Sequence, residues 1–325
     1  MSVEAARSFW VVAPGRGEIR AEAMRAPRGE EVLVRTLFSG ISRGTEALVF
    51  QGRVPPSEFL RMRAPFQDGD FPGPVKYGYA CVGIVEDGRS DLRGQRVFVL
   101  HPHQSHFIVP MGAIHVVPDA VPSERAVLAA NLETAINGLW DGRPHIGDRV
   151  AVVGGGTVGC LVAWLASRVV GCQVELVDVN PNRARIARAL GVDFAEPGQA
   201  QPEADVVLHA SATAAGLDTA LRLAGFEATI VELSWYGVDV VPAPLGRAFH
   251  AKRLTLKSSQ VGHVPDSQRG RWSTKRRMAL ALRLLADPTL DVLITGESGF
   301  DSLPETMEAV ATSPGDTLCH RIRYV

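Results

Sequence analysis

Cysteine is scarce in this sequence of 325 residues, which contains only Cys81, Cys160, Cys172 and Cys319. No two of them have the close spacing of a zinc knuckle. The sequence therefore argues against a structural zinc cluster and against a disulfide scaffold.

An excess of charge and long apolar runs are missing as well. Lysine and arginine total 34 against 35 aspartates and glutamates, giving a net charge of −1 that excludes a globally basic nucleic-acid-binding protein. No apolar stretch reaches the ~18 residues that span a bilayer. The start of the chain lacks the features of a signal peptide. We therefore expect a cytoplasmic protein with neither membrane nor nucleic-acid partners.

The chain is long enough for two domains, and its pattern changes near residue 126. The earlier part predicts strands, with an irregular loop over residues 55–75, and no long helix. Its clearest strands are predicted over residues 31–37, 80–85 and 96–100.

The later part alternates short buried strands with helices, the pattern of βαβ units and a parallel sheet. Strands are predicted over residues 149–153, 173–178, 205–208 and 228–233. Helices are predicted over residues 157–170, over a segment that Asn180 caps and Gly191 closes, and over 214–223. The last 50 residues predict a helix over 274–285, a strand near Val292, a helix from Pro304 and a terminal strand.

The first of these helices opens with a G-x-G-x-x-G turn, Gly154, Gly156 and Gly159 enclosing Thr157 and Val158. The turn follows a buried strand and Asp178 ends the next strand, which are the contexts that identify a dinucleotide fingerprint. The glycines permit the tight turn and the close approach of a pyrophosphate, which the free N–H groups at the helix start would bind. Asp178 would accept hydrogen bonds from the adenosine ribose and repel a 2′-phosphate. The motif therefore predicts NAD in preference to NADP.

With this motif in mid-chain, the sequence resembles the medium-chain dehydrogenase/reductase superfamily. The resemblance rests on residues 37–46 (LFSGISRGTE), 77–83 (YGYACVG) and 147–150 (GDRV), and on Asp178 followed by Arg183. Residues 249–261 (FHAKRLTLKSSQV) and 235–237 (WYG) are similar to a subgroup that includes the bacteriochlorophyllide dehydrogenases.

The resemblance implies an α/β architecture in which a Rossmann domain is inserted into a GroES-like β-barrel catalytic domain. The implied bounds are 134–257 for the Rossmann domain and 1–133 plus 258–325 for the catalytic domain. A homodimer formed through the nucleotide domain is implied as well. The resemblance also implies further cofactor contacts, from Arg183, Thr134, Ser211, Ser234, Trp235, Ser258, Ser259 and Gln260.

The departures from the family concern its catalytic zinc. The positions of the three metal ligands correspond to Ser42, Tyr79 and about Ala130, and Zn²⁺ prefers thiolate, imidazole or carboxylate. We therefore predict neither a catalytic nor a structural zinc ion. His101, His103 and His106 are close in sequence, and Glu46 and Glu133 could supply carboxylates. Pro102 and the strand alternation argue against convergence of the three imidazoles.

Without a metal, a side chain must manage the proton or the developing oxyanion of the substrate. The family match makes the phenol of Tyr79 the first candidate acid, with Lys76 to lower its pKa or to donate directly. Ser42 and Thr45 are alternative members of the proton-handling group. The competing interpretations are that Tyr79 only fills the space of the metal and that Lys76 is a surface charge.

The predicted function is NAD-dependent, zinc-independent interconversion of a secondary alcohol and a ketone. Reduction of a conjugated double bond, as in quinone or enoyl reductases, and a non-catalytic dinucleotide-binding role are the alternatives. A basic cluster at 269–277 (RGRWSTKRR) could bind a carboxylate or phosphate of the substrate, or could be a solvated face. The substrate is expected to be roomy and partly apolar because of Phe66, Phe71, Tyr77, Trp235, Tyr236 and Trp272.

Overall fold

The computed structural model describes residues 5–324 and divides the chain into two compact units. The first unit comprises Met1–Ala130, Leu282–Pro288 and Ile294–Val325, and the second comprises Asn131–Ala281 with Thr289–Leu293. The segment from residue 258 to residue 281 therefore clusters with the second unit.

The first unit is built from two sheets and short helices. Its smaller sheet has the strand order β2-β1-β5-β4, and its larger sheet has the order β16-β17-β3-β6-β7-β9 with β8 paired to β3. The strands are β1 (Ala6–Ala13), β2 (Arg16–Glu22), β3 (Glu31–Ile41), β4 (Asp68–Gly69), β5 (Val75–Lys76), β6 (Cys81–Asp87), β7 (Arg96–Val99), β8 (His106–Pro110), β9 (His115–Val116), β16 (Ile294–Gly299) and β17 (Cys319–Arg323). The helices are α1 (Arg43–Phe50), α2 (Ser123–Ala126) and α10 (Leu303–Thr312).

The predicted strands of the first unit are confirmed, and their alternation supplies its core. Val32 and Val34 of β3 point to the same side as Val85 of β6 and Val97 and Val99 of β7, in one buried cluster. This pairing of β3 with β6 and β8 places the end of β3 and the start of α1 beside the chain that enters β6.

Helix α1 was not predicted, and the strand predicted near Val292 is displaced. Gly44 and Thr45 are poor helix formers, so α1 depends on burying Val49 and Phe50 rather than on intrinsic propensity. Val292 lies in a 3₁₀ helix, Pro288–Leu293, and the strand begins directly after it.

The second unit contains one six-stranded parallel sheet with the order β12-β11-β10-β13-β14-β15. Its strands are β10 (Arg149–Val153), β11 (Gln173–Val177), β12 (Asp193–Ala195), β13 (Ala204–His209), β14 (Ala224–Glu232) and β15 (Thr255–Ser258). Its helices are α3 (Ala129–Gly142), α4 (Thr157–Ala166), α5 (Arg183–Leu190), α6 (Ala214–Leu223), α7 (Ala248–Ala251), α8 (Asp266–Arg269) and α9 (Thr274–Leu284), the first and last of which extend slightly into the other unit. The strand order reverses between β10 and β13, and ligands of such sheets bind at the carboxyl ends of the strands at this switch point.

The prediction of α6 over residues 214–223 is confirmed, whereas two helix ends in this unit were wrong. Helix α4 ends at Ala166, earlier than residue 170. Helix α5 begins at Arg183, so Asn182 rather than Asn180 occupies the N-cap position, where its side chain makes no capping hydrogen bond. Asn180 Oδ1 accepts a hydrogen bond from Asn182 N in the turn before the helix. Gly191 ends α5 in the left-handed conformation, as predicted.

Helix α3 is a further element that the sequence analysis missed. Most of its residues are buried, so it lacks the polar face whose period identifies an amphipathic helix. No helix of residues 5–324 is long and apolar enough to cross a membrane.

Candidate active site and dinucleotide site

The glycine turn after β10 has the conformation and the crowding that the fingerprint requires. Gly154 has a φ of +108°, and a Cβ at this position would lie 2.6 Å from the backbone nitrogen of Ser211. A Cβ on Gly159 would lie 1.8 Å from the carbonyl oxygen of Gly154. Thr157 and Val158 begin α4 on a partly exposed turn, so their N–H groups are available to a phosphate.

Asp178 stands beside this turn, at the end of β11. Its Oδ2 accepts a hydrogen bond of 2.5 Å from Gly155 N, and its Oδ1 accepts one of 2.8 Å from Asn180 N. The backbone thus holds the carboxylate in one orientation while lone pairs remain for ribose hydroxyls. Arg183 is buried close to this turn. A Cβ on Gly155 would lie 3.1 Å from the Cγ of Arg183.

The remaining predicted cofactor residues of this unit follow the ends of β13, β14 and β15 or lie on α3. Ser234 Oγ accepts a hydrogen bond from Ala212 N, and Trp235 follows it, partly exposed. Ser259 Oγ donates to Asp141 Oδ2 at 2.7 Å, which ties the segment after β15 to α3. The other positions are Ser258 at the end of β15, Gln260, whose Oε1 accepts from Gly262 N, and Thr134, which is partly buried on α3.

Arg277 of the basic cluster is a core residue rather than a surface cation. Its guanidinium donates to Glu133 at 3.0 Å, to the side chain of Asn137 and to the carbonyl of Val261. Burial outweighs this ion pair at Glu133 and raises the pKa of that carboxyl. Arg277 therefore joins α9, α3 and the chain after β15.

The rest of the cluster is arranged at the start of α9. Ser273 caps the helix, as predicted for Ser273 or Thr274, because its Oγ accepts a hydrogen bond from Arg276 N at 3.1 Å. The guanidinium of Arg276 stacks over Trp272 at 4.0 Å, and Trp272 contacts Trp140. Anion binding by Arg271 and Arg276 stays a prediction.

In the first unit, the structure brings Tyr79 together with Ser42 and Thr45. The hydroxyls of Ser42 and Thr45 hydrogen bond to the Tyr79 phenol, which lies just before β6. Burial, reinforced by the charge of Glu46, raises the pKa of Tyr79 to about 12 against the opposing effect of these two hydrogen bonds. The phenol therefore carries its proton at neutral pH and can donate it.

Behind this group lies a buried polar chain that the sequence analysis did not assemble. Glu46 Oε1 accepts a hydrogen bond from Ser42 N at 2.7 Å, and Oε2 lies 2.8 Å from Nε2 of His103. His103 Nδ1 lies 2.7 Å from Ser39 Oγ, which is 3.0 Å from the hydroxyl of Tyr324. A carboxylate can only accept, so His103 donates through Nε2.

The ammonium group of Lys76 is bound by side chains other than Tyr79. Its ammonium group donates to Glu22 at 2.9 Å and 3.1 Å and to Gln104 Oε1 at 3.0 Å. It is buried rather than a surface charge, and its three donors are engaged by oxygen atoms on other strands and loops.

The three histidines of the triplet have separate environments. His101 stacks on Phe107 with 3.8 Å between ring centroids, and burial lowers the pKa of His101 to about 3. His103 pairs with Glu46, whereas His106 begins β8 and is partly exposed. Within residues 5–324, no three histidine, cysteine, aspartate or glutamate side chains converge as a group that could hold a metal ion.

Comparison with known proteins supports the same architecture. No protein-family model matches the chain. A D-guloside 3-dehydrogenase of Escherichia coli K12 is 26% identical over 320 residues, which cover 89% of each chain. A proposed zinc-binding dehydrogenase of Sinorhizobium meliloti 1021, solved with NADP, superposes with a TM-score of 0.78 at 16% identity, covering 99% of this chain and 100% of the other. L-Idonate 5-dehydrogenase of Escherichia coli gives 0.80 at 16% identity, covering 98% of both chains.

These similarities, which extend over most of the chain, support the medium-chain dehydrogenase/reductase superfamily. The predicted α/β class, with a Rossmann sheet and a GroES-like catalytic domain, is confirmed, and the protein is a dehydrogenase-type oxidoreductase. The glycine turn and Asp178 fit a nicotinamide dinucleotide.

The side chains of the first unit are not the usual ligands of a catalytic zinc ion. By the family resemblance the ligand positions correspond to Ser42, Tyr79 and about Ala130, and Zn²⁺ prefers thiolate, imidazole or carboxylate to a hydroxyl, a phenol or a methyl group. Glu46 and His103 are metal-binding residue types in this unit, and they form a hydrogen bond with each other. The sequence contains a clue to only one contact of Glu46. Glu46 follows Ser42 by about one helical turn, a spacing at which a side chain can reach back to the backbone N–H at the start of the helix. The contact between Glu46 and His103 has no such local signal.

The charge of Glu46 should control the titration of Tyr79. Replacing Glu46→Gln retains an acceptor for Ser42 N but removes the negative charge, so we expect the pKa of Tyr79 to fall. Ultraviolet titration of tyrosinate, with the signal of Tyr79 isolated by subtracting a Tyr79→Phe variant, measures the change. The matched control is Glu86→Gln on the outer part of β6, which should leave the midpoint in place. An unchanged midpoint in Glu46→Gln would contradict the assignment.

Proposed function

We propose that this protein is an NAD-dependent, zinc-independent oxidoreductase that interconverts a secondary alcohol and a ketone. The observation that carries the proposal is the Tyr79 phenol in contact with the hydroxyls of Ser42 and Thr45. By the family resemblance, Tyr79 corresponds to the position of a metal ligand. The dehydrogenase names of the curated relatives, D-guloside 3-dehydrogenase and L-threonine 3-dehydrogenase, support the reaction class.

The second unit supplies the cofactor site in this proposal. When bound, NAD provides the hydride acceptor for the alcohol carbon. The N–H groups at the start of α4 bind the pyrophosphate, and the carboxylate of Asp178 binds the adenosine ribose. The switch point divides the sheet into two mononucleotide halves, so Ser211, Ser234 and Ser258 belong to the half that holds the nicotinamide.

The first unit supplies the polar chemistry. Tyr79 donates its proton to the oxygen of a ketone, or a hydrogen bond to the alkoxide character that develops there. Ser42 and Thr45 orient the phenol, and the buried carboxylate of Glu46 discourages its ionisation in the resting protein. Tyr79 is preferred over Lys76 as the donor because the ammonium group of Lys76 is engaged by Glu22 and Gln104.

Aromatic rings beside Tyr79 favour a bulky, partly apolar substrate. Tyr77 lies edge-on to Tyr79 with 6.0 Å between ring centroids, Phe71 lies 5.6 Å from Tyr77, and Phe59 lies 5.7 Å from Phe71. A cyclic secondary alcohol would present one apolar face to such rings and its hydroxyl to Tyr79.

We also propose that the enzyme is a cytoplasmic homodimer joined at the edge of the parallel sheet. Strand β15 is the last strand in the order. Leu256 on this strand is exposed, as are Val238 and Val240 in the chain between β14 and β15. An open edge with apolar neighbours favours pairing with a second copy.

Sedimentation equilibrium should give twice the chain mass for the wild-type protein, and the substitution Leu256→Lys should promote dissociation of the dimer. A monomeric wild type at micromolar concentration would contradict the dimer.

NADH should bind at least about tenfold more tightly than NADPH, because Asp178 would repel the 2′-phosphate. Replacing Asp178→Asn should narrow that ratio by weakening NADH and relieving the repulsion of NADPH. Nucleotide fluorescence titration measures both affinities. Asp218→Asn, on the exposed part of α6, serves as the control. A preference for NADPH in the wild type would overturn the interpretation of Asp178.

Replacing Tyr79→Phe should slow NADH-dependent ketone reduction by about 10²–10⁴-fold, the usual contribution of a general acid. Affinity for NADH and thermal stability should be unchanged, which separates catalysis from folding. Since the pKa of Tyr79 is about 12, the wild-type rate should stay level from pH 8 to about pH 10 rather than fall with an ordinary tyrosine. Full activity of the phenylalanine variant would exclude Tyr79 as the donor.

A further inference from the structure

Three side chains at the carboxyl edge of the parallel sheet have the arrangement of a nucleophile, a base and an orienting acid. His209 ends β13 and lies opposite Glu232, which ends β14. His209 Nε2 lies 2.6 Å from Ser211 Oγ, and His209 Nδ1 lies 2.7 Å from Glu232 Oε2. Such constellations are recognised by geometry and role rather than by sequence order.

The hydrogen bonds around Glu232 determine which atoms of His209 and Ser211 donate and which accept. The carboxylate accepts from Ser234 N at 2.8 Å and from the hydroxyl of Tyr236 at 3.0 Å, besides His209. Burial acts to raise the pKa of Glu232, but the hydrogen bonds from His209 and Ser234 act against it, and the net pKa is lowered. Glu232 is therefore ionised and His209 donates through Nδ1. The free Nε2 then accepts the proton of Ser211 Oγ.

The surroundings of Ser211 suit a reactive hydroxyl. A Cβ on Gly216 would lie 2.0 Å from Ser211 Oγ and 2.6 Å from His209 Nε2, so the arrangement depends on a glycine there. Ser211 is partly exposed whereas His209 is fully buried, so the serine is the member that a reagent can reach.

The start of α6 lies next to the serine. Gly216 N and Leu217 N are bonded to Thr213, which caps the helix. The first N–H groups of the helix, those of Ala214 and Ala215, have no partner within the helix. Backbone N–H groups of this kind stabilise negative charge that develops on an oxygen.

We propose that Ser211 is a nucleophile for acyl transfer from activated carboxylic esters, with His209 as its base and Glu232 as the orienting acid. Ser211 Oγ forms a bond to the acyl carbon while its proton passes to His209 Nε2. The ester C–O bond breaks, and the leaving alcohol takes that proton. Water then attacks the acyl-serine with the same base, releasing the carboxylic acid and restoring the hydroxyl.

This activity is independent of the proposed dehydrogenase reaction, in which Ser211 has only a role in cofactor contact. Reactivity is therefore measured on the full-length protein without added dinucleotide. Because the reagents need neither NAD nor a carbonyl substrate, failure of one proposal leaves the other open.

A fluorophosphonate reagent tests the nucleophile on unmodified wild-type protein. Ser211 Oγ displaces fluoride from phosphorus, and the proton leaves through His209. We expect one adduct per chain by intact mass, located at Ser211 by peptide mapping, and steady release of 4-nitrophenolate from 4-nitrophenyl acetate. Absence of an adduct, or an adduct at another residue, would overturn the proposal.

Variants then test the roles. Ser211→Ala should abolish the adduct, and His209→Gln should slow its formation by about 10²-fold or more. Gly216→Ala removes no functional group, yet it should abolish reactivity by displacing Ser211 from His209. Gly198→Ala, where a Cβ meets no atom within 4 Å, and Ser57→Ala, an exposed serine, are the controls. Unchanged labelling of His209→Gln and Gly216→Ala would refute the triad.

Discussion

A buried carboxylate with a complete set of partners organises the first unit. Glu46 joins α1 to the end of β3 through Ser42 N, and to the chain before β8 through His103. Removing one hydrogen-bond donor from a buried carboxylate leaves that carboxylate incompletely satisfied, so these contacts are interdependent. Burial raises the pKa of the neighbouring Tyr79 phenol, and the charge of Glu46 raises it further. The polar core of this unit is thus connected to the group that we propose to handle the substrate oxygen.

The second unit depends on a different constraint. At the switch point of its sheet, the backbone of the glycine turn lies very close to the backbone that follows β13. Gly154 and Gly159 leave room for the chain that carries Ser211, and the carboxyl ends of β10, β13 and β14 meet there. The same edge supports two proposals, a dinucleotide site and a reactive serine. Arg277 holds the segment after β15 against α3 from within the core, which separates its role from that of the exposed arginines near it.

The sequence was sufficient for the features that depend on local chemistry. The glycine turn, Asp178, the extent of α6 and the position of β17 follow from spacing, period and turn residues. Long-range pairings were beyond it: Glu46 meets His103 across 57 residues, and Glu133 meets Arg277 across 144. Helix α3 escaped notice because it is buried on most sides, and Lys76 appeared free because its partner Glu22 lies on another strand.

In the proposed reaction, this dehydrogenase scaffold performs hydride transfer with a phenol in place of a metal. The most direct measurement is turnover of a ketone panel by NADH absorbance, with zinc in the same sample counted by mass spectrometry before and after chelation. We expect undiminished turnover at far less than one zinc ion per chain. Turnover that disappears on chelation and returns in proportion to added zinc would contradict it.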